Sequence, residues 1–322
     1  MLDEVREQPE GVRILRRVVE RKFVSPLLLV GDEGTGRRFS VIQAVKEIFC
    51  TGTKAAGCPC SDCAQIDFGS HPDLIVVLPD NGEIKVGSVR DMLDASLSVP
   101  MLAPLKVIII DGVDKMNAAS GNALLKTLEE PPPQVRFFLL AESAAKILPT
   151  IKSRCGLVQY RPLPEPFIQS VLQRSDDDFK KSLVIARMSE GSVGRAVQYL
   201  GAGRLALRDK VFSFLRLALE KNVPGLFSSV DSAEKELPLA LRFLEQLVHD
   251  VIMVRTQPSR VIHDDLRDDL GRMRDQTKLE LWHKLLDEVR ELRERVATRV
   301  ARATDKAFPF HVKNLFAQTF WA

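Results

Sequence analysis

Apolar and polar positions along the first half of the chain alternate between two periods. Leu27-Leu28-Leu29-Val30 closes a short, continuously apolar run from Ser25, as expected of a strand buried on both faces of a parallel sheet. A helix is predicted from about Gly36 to Phe49, with Phe39, Ile42, Val45 and Phe49 on its inward side. Further strands are predicted at Leu74–Leu78, Lys106–Asp111, Val135–Ala141 and Leu157–Tyr160. Between them, Pro79-Asp80-Asn81-Gly82 has turn chemistry. One helix runs through Val89, Met92, Leu93 and Leu97. Another, from about Ala118 to Glu130, must stop at Pro131-Pro132-Pro133. Strand and helix alternate over residues 25–161, which predicts an α/β unit: a mostly parallel sheet with helices on both faces. Beyond Pro164 the strand pattern disappears. Short helices are predicted to residue 203, then longer amphipathic ones. The clearest runs from Lys278 to Val300 through Leu281, Leu285, Val289, Leu292 and Val296, with Thr277-Lys278-Leu279-Glu280 as a capping box.

The loop after the first strand carries the first chemical signal. Gly31-Asp32-Glu33-Gly34-Thr35-Gly36-Arg37-Arg38 has the glycines of a phosphate-binding loop, G-x-x-x-x-G-K-[ST]. Arg37 replaces the Lys that neutralises phosphate. Arg38 replaces the Ser or Thr that holds magnesium. Arg37 could still meet phosphate, whereas Arg38 cannot ligate a cation. The strand ending at Asp111 has the form of a Walker B strand, but Gly112 follows where an active ATPase has a Glu that activates water; Asp114 lies a turn further on. Hydrolysis is not expected, and the loop alone leaves nucleotide binding open. A glycine-rich turn without any ligand is the plain alternative.

Four of the five cysteines, Cys50, Cys58, Cys60 and Cys63, fall within fourteen residues. Four thiolates complete a tetrahedral structural zinc site with no open position. Reduced, packed thiols are the alternative, and His71 reads as a surface or packing residue. Composition adds limits: 46 basic against 43 acidic residues give a net charge of +3, which demands no nucleic acid. No apolar run is long enough to span a membrane, and the charged start Met1–Glu7 is unlike a signal peptide. A cytoplasmic protein is expected.

Ser153-Arg154-Cys155 ends the loop after the fourth strand. A lone loop Arg is usually a solvated charge; at the edge of an ATPase-like domain it can act on a neighbour's γ-phosphate as an arginine finger. Together with Lys106–Asp111, Asn122-Ala123-Leu124-Leu125-Lys126-Thr127-Leu128-Glu129-Glu130-Pro131-Pro132 and the segment Ile84–Arg90, this motif resembles the clamp-loader branch of the AAA+ ATPases, the clamp-loader subunits of bacterial DNA polymerase III. The four cysteines precede His71-Pro72-Asp73, as in that family. The motif resemblance covers residues 25–203; the helical remainder matches by length and position.

The resemblance implies a RecA-like AAA+ core with a zinc module over 1–161, a helical lid over 162–203 and a helical collar for oligomerisation over 204–322. It implies that Arg154 is a finger acting in trans, with Ser153 and Cys155 fixing its loop, and that Cys50, Cys58, Cys60 and Cys63 hold zinc. Gly31, Gly34, Gly36 and Arg37 would be a vestigial nucleotide site, with Arg195 in the sensor-2 segment Gly191–Ala196. The implied partners are the tau/gamma and delta subunits in a hetero-oligomeric ring, the sliding clamp, and primed DNA through the assembled complex. The chain resembles a non-hydrolysing stator more than the tau/gamma motor, which keeps a full P-loop and acid pair, or delta, which lacks Ser-Arg-Cys and the zinc cysteines. Two departures stand out. The cysteine spacing is x7, x1, x2 instead of the family's x8, x2, x2. The sensor-1 segment Ala141-Glu142-Ser143-Ala144 lacks the usual Thr and is one residue short. Two other readings stay open: a tau/gamma-like ATPase motor with Arg37 replacing Lys, and a zinc-dependent nucleic-acid-binding protein.

Overall fold

The computed structural model describes residues 1–173, 178–201, 203–220 and 236–299. In chain order the elements are α1 (Pro9–Val19), β1 (Leu27–Val30), α2 (Arg37–Phe49), α3 (Ser61–Asp67), β2 (Leu74–Val77), α4 (Val86–Ser96), β3 (Lys106–Asp111), α5 (Ala118–Glu129), β4 (Val135–Ala141), α6 (Pro149–Lys152), β5 (Gly156–Gln159), α7 (Glu165–Leu172), α8 (Phe179–Met188), α9 (Val193–Leu200), α10 (Arg204–Leu219), α11 (Leu237–Thr256), α12 (Arg267–Gln276) and α13 (Leu279–Arg299). They group into two compact units. The first comprises Met1–Phe167 with Gly191–Arg195; the second comprises Ile168–Glu190 with the rest of the chain from Ala196.

The first unit is built on five strands in the order β2-β3-β4-β1-β5, every neighbouring pair parallel. Side chains alternate across the sheet, as the period of two requires. Leu27, Leu29, Val107, Ile109, Phe138 and Leu140 face a core shared with Leu15 and Val18 of α1 and Val41, Ala44 and Val45 of α2. Leu28, Val30, Ile108, Ile110, Phe137 and Leu139 face a second core with Val89 and Met92 of α4 and Leu124 and Leu128 of α5. Both faces are therefore covered, and the α/β class with a five-strand parallel sheet stands. The turn at residues 80–83 is a tight reversal: Asn81 and Gly82 take positive φ (51° and 82°), and Asp80 and Glu83 exchange backbone hydrogen bonds.

One helix differs from expectation. Phe39 is about half exposed, and the inward face of α2 is Val41, Ala44, Val45 and Phe49. Apolar residues at 39, 41, 42, 44, 45, 48 and 49 support two overlapping helical stripes, and contact with the sheet selects one of them.

The second unit is helical throughout its described residues. α11 packs against α10, α12 and α13. On α13 the buried stripe is Trp282, Leu285, Leu286, Val289 and Leu292; Leu281 is only half-buried. Val300, expected to end this helix, lies outside the described residues, as do residues 221–235 and 301–322 of the expected collar. The Thr277 hydroxyl donates to the Met273 carbonyl at 3.0 Å and accepts from the Trp282 indole, tying α12 to α13. Among the described residues no helix is long and apolar enough to cross a membrane.

Candidate functional site

The phosphate-type loop joins β1 to α2 with its glycines in demanding conformations. Gly31 lies against Tyr160, and a Cβ there would stand 2.6 Å from the Tyr160 carbonyl oxygen. Gly36 caps α2 at φ 94°, a left-handed conformation that favours glycine. Gly34, at φ 77°, meets the segment Gly191–Arg195 of the same unit: a Cβ on it would overlap Ser192 Oγ and stand 2.9 Å from the Gly194 nitrogen. Ser192 is fully buried and its hydroxyl accepts from the Arg195 N–H at 3.1 Å, capping the first turn of α9. The predicted residues Gly34 and Arg195 are thus brought to one locality through Ser192.

Gln8, which sequence reading missed, braces the same loop. Its side-chain amide donates to the Thr35 carbonyl (3.2 Å) and the Arg161 carbonyl (2.7 Å), and its Oε1 accepts from the Arg161 N–H at 3.3 Å. A bond spanning 153 residues leaves no local signature.

Arg37 turns inward. It is buried, and its NH1 has no hydrogen-bond partner. Arg38 points to β3, with NH1 3.7 Å from Asp111 Oδ2. Burial pushes the Asp111 carboxyl above the ordinary carboxylate range, opposed first by Arg38 and then by Arg37 and Lys115. Gly112 follows at φ 95°, with room limited by Pro79. The Asp114 carboxylate accepts from the Glu142 N–H at 3.3 Å, so it is tied to the end of β4.

Arg154 lies on the loop between α6 and β5. Its Nε donates to Glu129 Oε1 at 2.8 Å and its NH2 to the same oxygen; NH1 donates to the Thr150 carbonyl (2.9 Å) and to Ser153 Oγ (3.3 Å). The Ser153 hydroxyl donates in turn to Thr150 O at 3.1 Å. Cys155 packs against the second core, and burial pushes its thiol up to about 12. Motif reading found Arg154, Ser153 and Cys155, but it did not assign Glu129 a role.

The four cysteines converge. One sulfur from each of Cys50, Cys58, Cys60 and Cys63 lies within 4.8 Å of the others, and Cys50 Sγ is 3.6 Å from Cys58 Sγ and 3.7 Å from Cys60 Sγ. Tetrahedral thiolate ligands at about 2.3 Å from zinc stand about 3.8 Å apart, so the donor set fits a metal such as zinc. The short Cys58-x-Cys60 spacing is accommodated because Cys60 is extended (φ −64°, ψ 157°) as the N-cap of α3, with Cys63 in the first turn. The Thr53 hydroxyl, with the Cys60 backbone next, lowers the Cys58 thiol to about 6, whereas burial raises that of Cys63. His71 is outside the set and not at the surface: buried, it packs against Phe49 with ring centroids 4.7 Å apart and the ring planes tilted by 40°, and its Nδ1 accepts from the Asp73 N–H.

A family model described as "DNA polymerase III, delta subunit" matches residues 7–164. The DNA polymerase III subunit delta' of Pseudomonas aeruginosa is 30% identical over 223 residues, 67% of each chain. That of Bacillus subtilis is 31% identical over 193 residues, 59% of this chain, and the match spans 58% of that protein. A DNA polymerase III gamma subunit-related protein from Thermotoga maritima shares the fold with a TM-score of 0.53 at 18% identity, covering 97% of this chain and 99% of the other. The chain belongs to the family of DNA polymerase III delta' subunits, in the clamp-loader branch of the AAA+ proteins.

Proposed function

We propose that this chain is the non-hydrolysing stator of a clamp loader. In a ring with tau/gamma and delta subunits it presents Arg154 to the ATP of the adjacent motor, while the ring opens the sliding clamp and loads it on primed DNA. The reading divides the chain into a core with its zinc module (1–161), a lid (162–203) and a collar (204–322), working in the cytoplasm, with zinc as a structural ion.

One observation carries the reading. A partly exposed arginine is held by its own chain's acceptors on a loop at the N-terminal edge of the sheet, in a chain whose nucleotide loop, at the opposite edge, has Arg38 in place of the metal-binding hydroxyl and whose Walker B strand is followed by Gly112 in place of Glu. Such a chain keeps a group that serves phosphate chemistry and lacks groups that its own hydrolysis would need. Positive charge at a developing γ-phosphate contributes on the order of 10³–10⁵ in rate for arginine fingers.

The test is reconstitution with motor and delta subunits, clamp and primed DNA. Arg154→Ala is expected to cut clamp-stimulated ATP hydrolysis by about 10³, with the isolated wild-type chain showing no turnover. Full activity of the Arg154→Ala complex would sink the proposal.

A further inference from the structure

We propose that Glu129 is a positioning residue for Arg154; this rests on the stator reading above. Glu129 is the last residue of α5, and Arg154 follows α6. One carboxylate oxygen of Glu129 takes both N–H groups of the guanidinium's side edge, at Nε and NH2. Thr150 O and Ser153 Oγ take the NH1 protons. These bonds engage four of the five donors of an arginine and leave one on NH2. The side chain is therefore held on three supports from two elements, with one NH2 proton uncommitted.

Arg154 is 28% exposed and Glu129 51%. An ion pair this exposed contributes little to folding stability. Its geometry does more for orientation: a long, flexible side chain is held in one rotamer before any phosphate arrives. The remaining NH2 proton can donate to a phosphate oxygen while the side edge stays on Glu129. Preorganisation of this kind acts on the chemical step, because a catalytic group displaced by about 1 Å can lose 10²-fold in rate. Glu129 touches neither substrate nor reacting atoms; it acts through Arg154.

The experiment uses the reconstituted complex and five versions of this chain: wild type, Glu129→Ala, Glu129→Gln, Arg154→Ala and the Glu129→Ala/Arg154→Ala double variant. ATP hydrolysis is measured with clamp and primed DNA, and ring assembly is checked by size. Glu129→Ala is expected to lower kcat roughly 10-fold with KM unchanged, within the range for a misplaced group. In the Arg154→Ala background it should add nothing. Glu129→Gln keeps the accepting oxygen and should recover most of the lost kcat, which a purely structural role would not single out. If Arg154→Ala is inactive but Glu129→Ala retains full kcat, or if the two losses multiply, the positioning role is wrong and the finger stands. If Arg154→Ala is itself fully active, both proposals fail.

Discussion

The guanidinium of Arg38 lies 3.7 Å from the carboxylate of Asp111, so a fixed cation stands beside the acid on which a P-loop enzyme would set magnesium. Two of the losses around this pair can be reversed by substitution, with Arg37→Lys and Arg38→Thr. The third resists. Gly112 has φ 95°, and a Cβ there would stand 2.9 Å from Pro79 Cγ, so a Glu at this position meets both strain and crowding. The Arg37→Lys/Arg38→Thr chain is expected to show no ATP turnover above the wild-type chain when phosphate release is followed. Turnover in this variant would mean that the missing Glu is not the decisive loss.

The positive-φ glycines of the loop region predict a graded series. A non-glycine residue in the left-handed region costs about 1–2 kcal/mol. Gly36→Ala should lose about that much and no more, because nothing lies within 4 Å of its added Cβ. Gly112→Ala adds the contact with Pro79, and Gly34→Ala adds overlap with Ser192 and Gly194. Urea unfolding midpoints should fall in the order Gly36, Gly112, Gly34, with Gly34→Ala the most damaging. Equal losses at all three would refute the close packing of Gly34 on the 191–195 segment.

The strands were legible because parallel strands covered on both faces must be apolar at successive positions, as in Leu27–Val30 and Val107–Ile110. The cysteine site was legible from its clustering, despite the short spacing. The inward face of α2 was not, since two stripes fit the same residues. Gln8 and Glu129 were also hidden: their partners lie 153 and 25 residues away, and a Gln or Glu at those places has no local pattern. The Gly34 contact with Ser192 escaped for the same reason, although both glycine-rich segments were noticed.

The cysteine cluster makes two predictions. Elemental analysis should find one zinc per chain, and Cys63→Ser, which removes a buried ligand, should abolish it. Gly52→Ala is the finer probe. Its Cβ would stand 2.7 Å from Cys58 Sγ, pressing on a ligand without removing any donor. Perturbing the surroundings of metal ligands typically costs 10–100-fold in affinity. Competition with a chelator should therefore strip Gly52→Ala more readily than wild type, and equal retention would argue against this packing.

Asp73 gives the clearest dependence on pH. It is fully buried, and its carboxylate accepts from the N–H groups of Met101 (2.8 Å), Leu102 (2.7 Å) and Ala103 (2.8 Å), fixing the approach to β3. Burial, the largest influence, pushes its pKa up; the three backbone donors, Ala103 foremost, outweigh it and hold the group below the usual carboxylate range. The sign follows from linkage. With a depressed folded value, the stabilisation is fully present above the unfolded pKa of about 3.9 and is lost as pH falls through the lower folded value. Asp73→Asn keeps the volume but replaces charge-assisted bonds, with an expected loss of about 1–3 kcal/mol at pH 7. Amide exchange at residues 101–103 should accelerate in the variant. In urea unfolding across a pH series, the gap between wild type and Asp73→Asn should hold from pH 7 to about 5 and narrow below about 4. A gap that is as wide at pH 3 as at pH 7 would show that the charge on Asp73 is not what holds this loop.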